Sequence, residues 1–179
     1  MHRSKGFFED DFEAQDGHSG AVVSEASPLE IEAHFCPEGV DPFDTVEWEA
    51  RTAHIKDENG GILFEQENCQ IPEDWSPLAT NVVVSKYFYG EPGTPERETS
   101  IQQVVHRVAR TIADWGIQDG YFASQADGET YYKELAWLCL HQRGSFSSPV
   151  WFNVGLFHQY GVKGSRGNYR YDVQTRSIR

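Results

Sequence analysis

Val46, Trp48, Ala50, Thr52 and His54 alternate along the chain with Glu47, Glu49, Arg51 and Ala53. This period-two pattern predicts a β-strand. It runs into Lys56-Asp57-Glu58-Asn59-Gly60-Gly61, where Asn-Gly supports the positive φ angles of a tight turn, and Gly61-Ile62-Leu63-Phe64 begins a return strand. The pattern over 46–64 therefore predicts a β-hairpin. A lone hairpin is marginal in water, so its apolar face must dock on something else.

Beyond a linker at Ile71-Pro72-Glu73-Asp74 the period changes to that of helices. Ser76 is placed to cap the first, with Pro77 at its first position; Val82, Val83 and Val84 continue it toward Tyr87, Phe88 and Tyr89 until Gly90 stops it. A second helix starts at Thr99 or Ser100, where Gln103 completes a capping box. Its Ile101, Val104, Val105, Val108, Ile112 and Trp115 form one apolar stripe, closed by Gly116 and Gly120. A third helix is predicted over 125–142, with Tyr132, Leu135, Ala136, Cys139 and Leu140 on one face. The tail from Gly164 to Asp172 reads as a Gly-rich loop followed by a short strand. The fold class is α+β, mainly helical, with an N-terminal β-hairpin.

Composition changes the picture at the N-terminus. Residues 1–50 hold 13 acidic and 2 basic residues of the chain's 28 and 15, so −11 of the net −13 falls there. Residues 1–42 combine Gly, Ser, Asp and Glu with little apolar periodicity and are expected to form an acidic, disordered leader. Residues 43–145 then form the folded domain, and 146–179 begin a further unit that is truncated here. No basic stripe exists for a phosphate backbone, so direct nucleic-acid binding is disfavoured. No apolar run reaches the roughly 18 residues of a membrane span, and the N-terminus has no signal-peptide core. Cys36, Cys69 and Cys139 lack metal or redox spacing, and reduced thiols in the cytoplasm are the simplest reading.

Candidate chemistry is sparse. His106 lies on the polar flank of the second helix beside Arg107 and Arg110, where a surface or hydrogen-bonded role outweighs a catalytic one. His141 is expected to make a structural hydrogen bond, and His158 carries no pattern. No two histidines sit at a metal-ligand spacing with a carboxylate. Cys139 falls on an apolar stripe, which predicts an inert thiol. The richest segment is Ser147-Ser148-Pro149-Val150-Trp151-Phe152-Asn153-Val154-Gly155-Leu156. It reads as a polar turn that leaves a hydroxyl and backbone amides free for a polar ligand, anchored by the aromatics behind it.

Several ordered stretches resemble the N-terminal region of class II, adenosylcobalamin (vitamin B12)-dependent ribonucleotide reductases. They are Pro72-Glu73-Asp74-Trp75-Ser76, Ala79-Thr80 with Ser85-Lys86-Tyr87-Phe88, Glu98 through Val108, Gly120-Tyr121-Phe122-Ala123, and His141-Gln142 followed by Ser147 through Leu156. The resemblance covers about residues 44–172. It implies an enzyme, of the ribonucleoside-diphosphate reductase type, that makes deoxyribonucleotides by thiyl radical chemistry inside a ten-stranded α/β barrel; a triphosphate substrate stays open. The cofactor it implies is adenosylcobalamin, bound by the complete enzyme.

The hydroxyl residue before Pro in the family's turn contacts the nucleotide substrate, and here that residue is Ser148. Ser147 stands where the family has Asn, and Val150 where it has Gln. The redox and radical cysteines would lie downstream of Arg179, so the resemblance maps no catalytic residue and no metal onto this chain. It implies that the chain acts with the remainder of the reductase, in the same or a separate polypeptide, and it is compatible with a homodimer. The competing reading is a non-catalytic acidic helical module that binds a protein partner through its aromatic surface.

Overall fold

The computed structural model describes residues 27–163, together with the backbone at 171–172 and 177–178. A short 3-10 turn at Pro42–Thr45 leads into an antiparallel hairpin of β1 (Trp48–Lys56) and β2 (Ile62–Pro72). Helices α1 (Pro77–Lys86), α2 (Ile101–Gln118), α3 (Gln125–Leu140), α4 (Ser148–Asn153) and α5 (Leu156–Tyr160) follow. Strands β3 (Tyr171–Asp172) and β4 (Ser177–Ile178) pair as a second small antiparallel sheet. The Gly-rich stretch before β3 lies outside the described residues. Among the described residues no helix is long and apolar enough to cross a membrane.

The hairpin forms where the alternation placed it, but β2 is longer than expected and absorbs Ile71 and Pro72 from the presumed linker. Its turn is organised by Asp57, whose carboxylate accepts the amides of Asn59 and Gly61 at 2.8 and 2.7 Å. The core-facing side of β1 carries Ala53, while Val46 and Trp48 from the other set also pack against the core, with a register shift between Arg51 and Ala53. Ala53 is fully buried while Ala50, Thr52 and His54 are exposed. Period-two alternation defines two faces without saying which one meets the core. Arg51 tolerates the inner side because its guanidinium donates to the carbonyls of Trp75 and Glu73 and to the Thr80 hydroxyl.

The caps read from the sequence set the helix starts. Ser76 accepts from the Ala79 amide at 3.1 Å with Pro77 at the first position, and Ser100 and Gln103 form the reciprocal capping box. Helix α1 ends at Lys86, three residues before Tyr89. The Arg97 guanidinium takes the carbonyls of Val84, Phe88 and Gly90 at 2.6–2.9 Å, satisfying the groups that a continuing helix would have bonded. Gly116, expected to close α2, instead lies buried inside it, with the Phe122 ring against its Cα.

The core lies between the hairpin and helices α1 to α3. Ala53, Cys69, Ile71, Val84, Ile101, Val108, Ala136 and Leu140 are its most enclosed members. The Trp75 indole N–H donates to the Leu140 carbonyl at 2.8 Å, tying the exit of the hairpin to the end of α3.

Order begins before Phe43. Leu29 pairs in parallel fashion with Phe122, the Ile31 amide donates to Asp127 Oδ1 at 2.8 Å, and the amides of Phe35 and Cys36 donate to the two oxygens of Glu134 at 2.8 and 2.9 Å. Cys36 is buried and Phe35 stacks on Trp137. Residues 27–42, expected to belong to the leader, therefore form a strap along α3. Backbone amides captured by carboxylates need no apolar periodicity, which is why the pattern did not show it.

Candidate functional site

The segment expected to be an open turn is a short helix. Ser147 stands at the N-cap with extended backbone, φ −66° and ψ 155°, and Pro149 supplies a φ suited to the first helical turn. Helix α4 ends at Val154, whose amide returns to the Val150 carbonyl, and Gly155 takes φ 86° to redirect the chain into α5. Trp151 is the anchor on the inner side, packed edge-on to Phe146, with its indole N–H on Ser145 Oγ at 3.3 Å. The anchoring role expected of the aromatics is borne out for Trp151. Phe152 is 45% exposed and faces outward.

Ser148 opens α4 and is exposed. Its Oγ lies 3.0 Å from the hydroxyl of Tyr87, which sits at the C-cap of α1. The Tyr87 ring is tilted against Phe152 and stacked beside Trp151, at centroid distances of 5.4 and 6.3 Å. An open cleft of about 890 Å³ runs from Tyr87 past Lys86, Tyr89 and Arg97 to Phe152 and Asn153. The exposed hydroxyl pair therefore stands at the edge of a concave, mixed polar and aromatic surface, the kind of surface that accepts a ligand with both polar and ring components.

A buried ion pair fixes this arrangement from below. Arg107 and Glu98 are 1% and 2% exposed, with Arg107 Nε 2.8 Å from Glu98 Oε1. Arg107 also donates to the carbonyl oxygens of Val154 at 2.7 Å, Trp151 at 3.2 Å and Tyr87 at 3.2 Å. Glu98 in turn accepts the Tyr89 amide at 2.6 Å and the Tyr160 hydroxyl at 2.8 Å. Burial and the neighbouring Glu98 carboxylate push the Tyr160 hydroxyl far up, so it stays a donor. A guanidinium is suited to this position because its rigid fork of donors satisfies several acceptors at once.

Arg107 corrects the expectation that it shares the polar flank of α2 with His106. At helical spacing position 107 falls between the buried Val104 and Thr111, and that spacing is the signal that could have revealed it. Its counter-ion lies in the loop before the helix, where periodicity says nothing.

The three histidines are each engaged. His106 Nδ1 lies 2.7 Å from the Tyr132 hydroxyl, and burial together with Arg110 favours its neutral form. His141 Nε2 meets Thr45 Oγ1 at 2.9 Å, the structural bond expected of it. His158 Nε2 meets Asp114 at 2.8 Å. Among the described residues no cluster of His, Cys, Asp or Glu has the geometry to hold a metal ion.

All three thiols are free and buried. Cys139 reaches the wall of an apolar cavity of about 260 Å³ between Trp75, Val83, Val104 and Trp151, and burial pushes its thiol up to about 12 from a usual 9.0. A group whose folded pKa is raised contributes stability below its unfolded pKa and loses it as pH climbs through the folded value. Cys139 is thus expected to stay a thiol at pH 8 and to react with an aromatic disulfide reagent only as fast as the chain opens. Labelling of the native protein on the timescale of a free thiol would contradict this. The same shift predicts declining stability between pH 9 and 12, measurable by thermal melts.

This hairpin-and-helix unit, with its hydroxyl pair beside a cleft, falls within the ribonucleotide reductases: residues 49–142 match the family model described as class II vitamin B12-dependent ribonucleotide reductase. The vitamin B12-dependent ribonucleotide reductase of Rhodopirellula baltica is 54% identical over 161 residues, covering 89% of this chain and 16% of that protein. Those of Streptomyces avermitilis and Streptomyces coelicolor are 45% and 46% identical, over 76% and 71% of this chain and 14% and 13% of theirs. The chain belongs to the class II vitamin B12-dependent ribonucleotide reductase family, and it spans about a seventh of the length of these curated relatives. That membership weighs against the reading as a free-standing interaction module.

The family is described as vitamin B12-dependent, and the described thiols and the cavity beside Cys139 do not fit that cofactor. The thiols are enclosed, the cavity beside Cys139 is apolar and far smaller than a corrinoid, and His106, His141 and His158 are committed to neighbours within the fold. No step of cobalamin or thiyl chemistry is therefore assigned to these side chains.

Proposed function

We propose that this chain is the N-terminal part of a cytoplasmic enzyme that reduces ribonucleotides to deoxyribonucleotides, and that Ser148 contacts the nucleotide. The cofactor and the reactive cysteines belong to the remainder of the reductase, which together with the ribonucleotide and a second copy of the enzyme makes up its partners. Residues 27–42 extend the folded domain along α3, and α4 begins the catalytic unit.

The observation that carries the reading is the exposed Ser148 hydroxyl, at the position where the family resemblance implies a substrate contact and at the edge of a cleft that combines Lys86, Arg97 and aromatic walls. A hydroxyl there can donate to a ribose or phosphate oxygen and can accept from a ribose hydroxyl. In a complete reductase containing this segment, Ser148→Ala is expected to raise KM for the ribonucleotide by about tenfold, the effect of one lost hydrogen bond to a charged group. Steady-state kinetics measure it. An unchanged KM would remove Ser148 from the substrate site.

A further inference from the structure

Ser148 does not hold its own orientation. An exposed serine has three staggered rotamers of similar energy, and Ser147 makes no side-chain cap bond that would order the start of α4. What selects one rotamer is Tyr87, contributed by a different element 61 residues earlier, with its hydroxyl 3.0 Å from Ser148 Oγ. The phenol itself cannot drift, because its ring is confined by Trp151 and Phe152.

The backbones on both sides of this contact are tied to one buried cation. Arg107 binds the carbonyl of Tyr87 and, from the same guanidinium, the carbonyls of Trp151 and Val154 at the far end of α4. The separation between Tyr87 and α4 is thus set inside the core rather than by surface contacts.

We propose that Tyr87 is a positioning residue for Ser148, with the Arg107–Glu98 pair fixing the distance between them. This rests on the reading of Ser148 as a substrate contact. A phenol is a stronger hydrogen-bond donor than an alkyl hydroxyl, so Tyr87 donates to Ser148 Oγ and leaves the serine O–H free to donate to a nucleotide oxygen. Tyr87 acts through the serine and does not itself touch the reacting atoms.

The test is a double-mutant cycle in a complete reductase containing this segment, with Tyr87→Phe, Ser148→Ala and the double variant. Phe keeps the ring packing and removes only the hydroxyl. Tyr87→Phe is expected to raise KM for the ribonucleotide roughly three- to tenfold, the range for one neutral hydrogen bond, with kcat and the unfolding midpoint unchanged. The double variant should match Ser148→Ala, because a Tyr87 hydroxyl that acts only through the serine loses its effect once the serine hydroxyl is gone. If Ser148→Ala raises KM and Tyr87→Phe does not, the positioning role is overturned while the substrate contact stands. If Ser148→Ala has no effect, the substrate contact itself fails. Additive losses, or a fall in kcat at constant KM, would also overturn the proposal.

Discussion

Replacing Arg107 with alanine is expected to lower the free energy of unfolding by about 3–5 kcal/mol, a large share of the roughly 5–15 kcal/mol that holds a domain folded. The loss comes less from the ion pair than from what is left behind. Glu98, 2% exposed, would remain as a buried carboxylate without its counter-charge, and the carbonyls of Tyr87, Trp151 and Val154 would lose donors in the core. Arg107→Lys keeps the charge but not the planar fork, so it should recover only part of the difference. Urea denaturation of the three proteins measures this. A change below about 1 kcal/mol for the alanine variant would mean that water, not packing, surrounds the pair.

Gly155→Ala is expected to cost about 2–5 kcal/mol and to disturb the site at the same time. The residue sits at φ 86°, where a side chain costs about 1–2 kcal/mol. A Cβ there would also run into the backbone oxygen and Cγ of Arg107, and overpacking adds about 1–3 kcal/mol. Gly161 separates the two causes: it has φ 67° with nothing near a built Cβ, so Gly161→Ala should show the conformational penalty alone. Thermal or urea unfolding of both variants gives the comparison. Equal losses at the two positions would show that contact with Arg107 contributes nothing.

These two positions also mark where the sequence was hard to read. The helix starts were legible because Ser76-Pro77 and Ser100 with Gln103 are local signals that act within four residues. The stripe on α2 marked a share of the core, and the proposal of Ser148 rests on the family resemblance. Arg107 was misplaced because an arginine beside an apolar stripe resembles a surface residue until its partner is known, and Glu98 lies outside any periodic element. Tyr87 was overlooked for a related reason: its contact with Ser148 depends on how α1 and α4 pack, which no local pattern encodes. The inner side of β1 was not legible because alternation defines two faces without choosing one, and Arg51 on the inner side finds its acceptors only in the chain after β2.

The strap over α3 has a consequence for how the molecule assembles. Phe35 and Cys36 find their acceptor 98 or 99 residues further on, at Glu134, and Ile31 finds its own 96 residues away. During synthesis these amides leave the ribosome long before either carboxylate exists, and closing so long a loop is entropically costly until the intervening elements have condensed. Hairpin and helices must come together first. The strap is the clasp that shuts last.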